Sequence, residues 1–149
     1  MITWYAQEQR ASCVPACIRM VLSAFDQLLT ERQIRQVLGQ PRFGLNLGQA
    51  SEQLARTGMS AVYHNDWSLL DLRDCLRDGW YPIVGVERRF FGHRDSSHAI
   101  VLLKISSRSG SAFDPLGTAQ SETFLTETFE QAWHGAGHQA LVIQSPLPL

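Results

Sequence analysis

The chain is short of cysteine. It has three in 149 residues, Cys13, Cys17 and Cys75, and an odd, small number excludes a disulfide-stapled scaffold of the secreted kind. Its opening "MITWYAQEQR" has no basic segment followed by an apolar run, so no signal peptide is expected and reduced thiols in a cytoplasmic protein are. No apolar stretch approaches the ~20 residues that a membrane-crossing helix needs, so no membrane span is expected. Charge of one sign is missing too. The net charge is −1 with Lys and Arg scattered, which leaves no basic stripe for nucleic acid or an anionic membrane. Internal repeats, low-complexity tracts and long linkers are absent. What remains is 44% hydrophobic and 18% charged, the composition of a chain that builds a core, at the length of one domain spanning 1–149.

The first helix is predicted from Cys13 to about Phe25. Ser12 is a suitable N-cap and Pro15 fits the first turn. Val14, Cys17, Ile18, Val21, Leu22 and Phe25 form one apolar stripe that must face a core. A second helix follows Thr30, where "TERQ" supplies a capping box and Gly39 a stop. A third lies within "NLGQASEQLARTG" and stops at Gly58. "MSAVYH" reads as a short strand, and "SLLDLRDCLRDG" as a fourth helix capped by Ser68 and stopped by Gly79. Beyond residue 80 the texture changes. "YPIVGVE" is an apolar strand, "RRFFGHRDSS" a polar loop with exposed aromatics, and "HAIVLLKIS" a nearly continuous apolar strand expected at the centre of a sheet. "SRSG" turns the chain, and "SAFDP" is a short return strand ended by Pro115. "ETFLTETFEQAWHGAG" is predicted helical and "HQALVIQ" is a last strand. Helices lead and strands follow, so the fold class is α+β, with a mainly antiparallel sheet packed on the first helix.

Most cysteines are small buried hydrophobes, and Cys17 and Cys75, on apolar helix faces, read that way. Cys13 differs because it opens a helix, where backbone N–H groups and the macrodipole favour a thiolate, the attacking form of cysteine. A nucleophile needs a base, and the base an orienter. The chain offers His64, His93, His98, His134 and His138. Only His98 opens a strong central strand. Asp114 ends the next short strand, and a hairpin can bring the two side by side. Acyl transfer also needs donors for a developing oxyanion, and the Cys13 N–H and the Gln7 amide are candidates. The bland alternatives are a strand-end histidine and an aspartate in an ordinary Asp-Pro turn.

These residues carry a resemblance. "QEQRASCVPACIRMVL" resembles the N-terminal motif of the C39 family of papain-like cysteine peptidases, in which a Gln precedes by six positions a Cys that opens a helix. "SSHAIVLLKI" followed by "SGSAFDPLG" is similar to that family's second half, with a His at a strand start and an Asp before Pro, and "FEQAW" with "HQALVI" is similar to its closing segment. The resemblance implies a papain-like fold, Cys13 as nucleophile, His98 as general base and acid, Asp114 as orienter of His98 and Gln7 as oxyanion donor, Gln9 being a nearby competitor. It implies no cofactor. The best-known members are N-terminal domains of peptide-exporting ABC transporters that cleave leader peptides after a double glycine. Residues 1–149 themselves hold no transporter domain, so what the resemblance implies is thiol-protease chemistry on a peptide or protein substrate, with a peptide exporter as the partner to consider.

The chain departs from the family pattern at Val14, which stands where a glycine is usual and narrows the cleft if it faces the nucleophile. Phe90 and Phe91, just before His98, are candidates to line a substrate cleft. His93 and Asp95 lack the spacing of a metal site, so no metal is expected, and "HGAGH" around His134 and His138 reads as a polar turn. Two other functions fit the same residues, a non-catalytic peptide-binding module and a thiol acyltransferase, cyclase or amidase. A structural protein whose cysteines are all core would be told apart by unreactive thiols.

Overall fold

The computed structural model describes residues 1–39, 44–94 and 96–148. Helix α1 spans Cys13–Ser23, α2 Glu31–Val37 and α3 Leu47–Ala55, and they precede strand β1 (Ala61–His64) and helix α4 (Leu69–Arg77). Strands β2 (Ile83–Glu87), β3 (Ser97–Ile105), β4 (Ser109–Phe113) and β5 (Glu122–Leu125) follow, then α5 (Thr126–Gly135) and β6 (Ala140–Ile143). The strands form one sheet in the order β1-β6-β2-β3-β4-β5, and every described pairing is antiparallel.

The local signals explain the helix ends. Thr30 and Gln33 form the reciprocal capping box that starts α2, and Ser68 with Asp71 does the same for α4, each satisfying N–H groups that have no partner within the helix. Helix α1 ends at Ser23, short of Phe25. The turn beyond it is completed by Asp26 in the left-handed region at φ 58°, a conformation that a short polar side chain tolerates.

Two hydrophobic cores lie on opposite faces of the sheet. One packs Cys17, Ile18, Val21 and Leu22 of α1, Ile34 of α2 and Ala50 and Leu54 of α3 against Ile83, Ala99, Val101, Leu141 and Ile143. The other packs Phe129, Ala132 and Trp133 of α5 and Leu72 of α4 against Val84, Val86, Ile100, Leu102 and Ala140. Because successive strand residues point to opposite faces, β3 serves both cores, and this is why it reads as an almost unbroken apolar run.

One expected helix divides. Residues 122–125 are a strand, with Ser109 opposite Leu125 and Ala112 opposite Glu122. A β-branched and an aromatic residue, Thr123 and Phe124, suit a half-exposed edge, and Phe124 stacks on Phe129 at 5.3 Å. "HGAGH" also divides. The helix runs on through His134 and Gly135, and the turn follows, with His138 at φ 52°. The loop predicted at 88–97 contains a 3-10 turn over Arg88–Phe91.

Candidate active site

Cys13 is the first residue of α1 and is half-buried. The preceding Ser12 occupies the N-cap position without capping: its φ of −105° and ψ of 28° are not cap geometry, and its side chain bonds no helix N–H. The hydroxyl is turned the other way, accepting from the Gln9 N–H at 2.9 Å and lying 3.0 Å from both the Gln9 carbonyl and Glu31 Oε1. The Ser12 side chain therefore leaves the positive end of α1 beside the thiol uncapped.

His98 is second in β3 and buried. Phe113 pairs with Val101 and Ala112 with Leu102, so Asp114 comes opposite Ile100, on the sheet face that His98 shares. His98 Nε2 meets Asp114 Oδ1 at 2.6 Å. A carboxylate only accepts, so Nε2–H donates, and Nδ1 is the ring nitrogen left for Cys13. Asp114 is itself held. Its Oδ1 accepts the Leu116 N–H at 2.8 Å, an Asx turn, and its carbonyl accepts the Gly117 N–H at 2.9 Å, closing a turn with Pro115 at the position proline favours. The chain start fastens the same turn, with Trp4 Nε1–H donating to the Asp114 carbonyl at 2.8 Å and Gln7 N–H to the Pro115 carbonyl at 3.0 Å.

The electrostatics follow from this placement. Burial raises the Cys13 thiol, but the hydrogen bond and charge of His98, with the N–H groups of Ala99 and Val14, outweigh it and leave the thiol below its ordinary value. Burial likewise works against His98, yet the bonds to Asp114 and Cys13 and their charges push it up to about 9. Burial raises the Asp114 carboxyl, and the His98 bond and charge, the Leu116 N–H and the Arg88 charge bring it down. All three shifts favour a thiolate, an imidazolium and a carboxylate in line. The other cysteines go the opposite way. Burial, then the charges of Cys13 and Asp114, raise Cys17 well above its ordinary value, and burial with the Asp78 charge pushes Cys75 up to about 12.

Gln7 lines the same cleft as Cys13 and His98. Its Nε2 donates to the carbonyls of Gln9 at 2.8 Å and Arg10 at 3.0 Å, while its Oε1 is buried without a hydrogen-bond partner among the described residues. The cleft, about 820 Å³, is also lined by Gly44, Leu45, Asn46, Gly85, Ala136 and Gln139. None of these was singled out from the sequence, although a lone glycine inside an apolar strand, as in "PIVGVE", is a signal of close backbone approach.

Val14 borders the cleft but is only 3% exposed and belongs to the α1 core. The cleft lining contains neither Phe90 nor Phe91. Both pack on the second core, Phe91 against Phe124 with ring centroids 5.8 Å apart and Phe90 close to Gly135 of α5. Phe90 thus lies against α5, whereas Phe91 lines a smaller pocket of about 130 Å³ on the far side of His98 and Asp114. Asp95 lies outside the described residues. Among the described residues no group of three or more His, Cys, Asp or Glu could hold a metal ion, and no helix is long and apolar enough to cross a membrane.

The sequence matches the Peptidase_C39 like family over residues 1–141. The fold is shared with a protein of Bacillus anthracis assigned to the C39-like peptidases, at a TM-score of 0.78 and 16% identity, covering 99% of this chain and 96% of that one. It is shared with the peptidase domain of Streptococcus ComA, a bi-functional ABC transporter involved in quorum sensing, at a TM-score of 0.76 and 16% identity, covering 98% and 99%. A double-glycine-motif protease from an AMS/PCAT transporter, solved in complex with its leader peptide, gives a TM-score of 0.71 at 18% identity, covering 96% and 91%. The comparison with curated protein sequences gives no match. The architecture is thus papain-like α+β, as expected from the sequence.

Proposed function

We propose that this chain, which belongs to the peptidase C39-like family, is a cysteine peptidase that hydrolyses peptide bonds through Cys13, His98 and Asp114. The observation that carries the reading is the 2.6 Å contact of His98 with Asp114 behind a thiol lowered by His98 in an open cleft. His98 takes the Cys13 proton, and the thiolate attacks the scissile carbonyl to give a tetrahedral oxyanion. The Cys13 N–H and the Gln7 amide stabilise that charge, the amide turning an N–H from its carbonyl partners toward the cleft. His98 then protonates the leaving amine, and a water deprotonated by His98 hydrolyses the thioester and restores the thiol. The substrate class we infer is an extended peptide or protein segment, by likeness to the leader-peptide complex, with an exporter as partner. The three free thiols fit a reducing compartment such as the cytoplasm.

One observation favours a second reading, binding without cleavage. As oriented, both N–H groups of the Gln7 amide are engaged by backbone carbonyls. The test is pH-dependent iodoacetamide labelling mapped to each cysteine, followed by cleavage of a peptide library. The peptidase reading requires fast labelling of Cys13 alone and cleavage that Cys13→Ala abolishes. A Cys13 that labels no faster than Cys17 and Cys75 sinks it in favour of the binding module.

A further inference from the structure

Glu31 is a charged side chain with no place in the reaction described above, yet it is completely buried. It opens α2, well away in sequence from Cys13. Its Oε1 accepts the backbone N–H of Glu8 at 3.0 Å and faces the Ser12 hydroxyl at 3.0 Å. Its Oε2 accepts Arg35 Nε–H at 3.1 Å. A buried carboxylate is costly unless paired and hydrogen-bonded, and here three donors satisfy it. Two of those donors belong to the segment between Gln7 and Cys13. The connection continues inward, because Ser12 Oγ accepts the Gln9 N–H at 2.9 Å and the Gln9 carbonyl accepts from Gln7 Nε2 at 2.8 Å. Four residues thus form one hydrogen-bonded chain from α2 to the amide at the cleft. The same contact draws the Ser12 hydroxyl away from the capping position and leaves the start of α1 without a side-chain cap.

We propose that Glu31 is a positioning residue, holding the 8–12 segment so that the Gln7 side chain stays at the cleft beside Cys13, from where its amide N–H turns to a developing oxyanion. This rests on the peptidase reading, and deepens it by assigning the support of its oxyanion site. Glu31 makes no bond to His98 or Asp114 themselves, so its removal is expected to slow the step that builds an oxyanion and to leave formation of the thiolate alone.

Two probes separate those steps without knowledge of the natural substrate. Iodoacetamide alkylates a thiolate by displacement and forms no oxyanion, whereas p-nitrophenyl acetate acylates it through a tetrahedral oxyanion and releases p-nitrophenolate. Both reactions are followed at Cys13 in the full chain for wild type, Glu31→Ala, Gln7→Ala and the double variant. The expected result is a loss of about 10²-fold in acylation for Glu31→Ala, the scale of one lost oxyanion donor, with alkylation unchanged. The double variant acylates no more slowly than Gln7→Ala alone, because residues acting through one group are non-additive. Glu31→Gln, which keeps an acceptor for the Glu8 N–H, restores part of the rate. If Glu31→Ala does not fold, Ser12→Ala breaks the same chain of bonds and carries the same expectation. Acylation at the wild-type rate, equal losses in both reactions, or multiplicative losses in the double variant overturn the proposal. A wild-type Cys13 that alkylates no faster than Cys17 and Cys75 overturns the peptidase reading, and this proposal with it.

Discussion

The indole N–H of Trp4 donates to the backbone carbonyl of Asp114 at 2.8 Å, fastening the start of the chain to the turn that carries the carboxylate, 110 residues away. That carbonyl also accepts from Gly117, so Trp4→Phe removes a tether without orphaning an acceptor. The expected cost is about 1 kcal/mol of stability, the net worth of one hydrogen bond, with a several-fold drop in kcat and little change in KM. Thermal unfolding and steady-state kinetics on a cleaved peptide check it.

His98→Ala removes both the proposed base and the hydrogen bond and charge that lower the Cys13 thiol, leaving burial to raise it. Alkylation of Cys13 at pH 7 is expected to fall toward the rates of Cys17 and Cys75. Asp114→Asn keeps the shape but removes the charge that supports the imidazolium, and an intermediate labelling rate is expected, with hydrolysis reduced by about 10²-fold or more. Mapping labelled peptides by mass in the three proteins decides it. Equal Cys13 rates in all three would contradict the coupling.

The pH dependence follows from the directions of the shifts. Cys13 ionises below its ordinary 9.0 and His98 keeps its proton up to about 9. Alkylation, which needs only the thiolate, rises once on the acid side of 9.0 and then stays level. Hydrolysis also needs the imidazolium as acid, so it rises with the thiolate and falls as pH passes about 9. The two limbs belong to the coupled pair. In Asp114→Asn the imidazolium loses its support, and the alkaline limb moves to lower pH.

Gly44 lines the cleft in a left-handed conformation at φ +84°, and a Cβ there would stand 2.8 Å from the Ala11 carbonyl. Gly44→Ala meets both obstacles. The backbone alone costs about 1–2 kcal/mol, and the clash pushes on the segment between Gln7 and Cys13. Lower thermal stability together with slower acylation of Cys13 is expected, whereas a surface glycine would affect stability alone.

Phe91 packs on Phe124 and the α5 core. Phe91→Ala is expected to destabilise the fold by about 1–2 kcal/mol, less than a full core deletion because the ring is half-exposed, and to leave KM for a cleaved peptide unchanged. A raised KM with unchanged stability would return Phe91 to the substrate cleft.

The candidate site was legible in the sequence because its residue types and backbone settings follow local rules. The spacing of Val14, Cys17, Ile18 and Val21 demanded a buried helix stripe. Cys13 at the helix start, His98 at the start of the most apolar strand and Asp114 before a proline each declared a type and a backbone setting. The capping box at Thr30 and the cap at Ser68 likewise involve residues three apart, and the family resemblance added the order in which such residues recur. Residues 122–125 were misread because an edge strand is decided by its partner, β4, and not by its own propensity. Phe90 and Phe91 lie outside the lining of the cleft that holds Cys13 because exposure near His98 is legible in the sequence but direction is not. Ser12 was a sound N-cap by composition, yet its hydroxyl is claimed by Glu31, nineteen positions on. What the sequence by itself determined was which groups are chemically able and which backbone each rides on. Only the tertiary structure decided which groups meet, because burial, hydrogen-bond competition and charge coupling depend on distances between segments that share no local pattern.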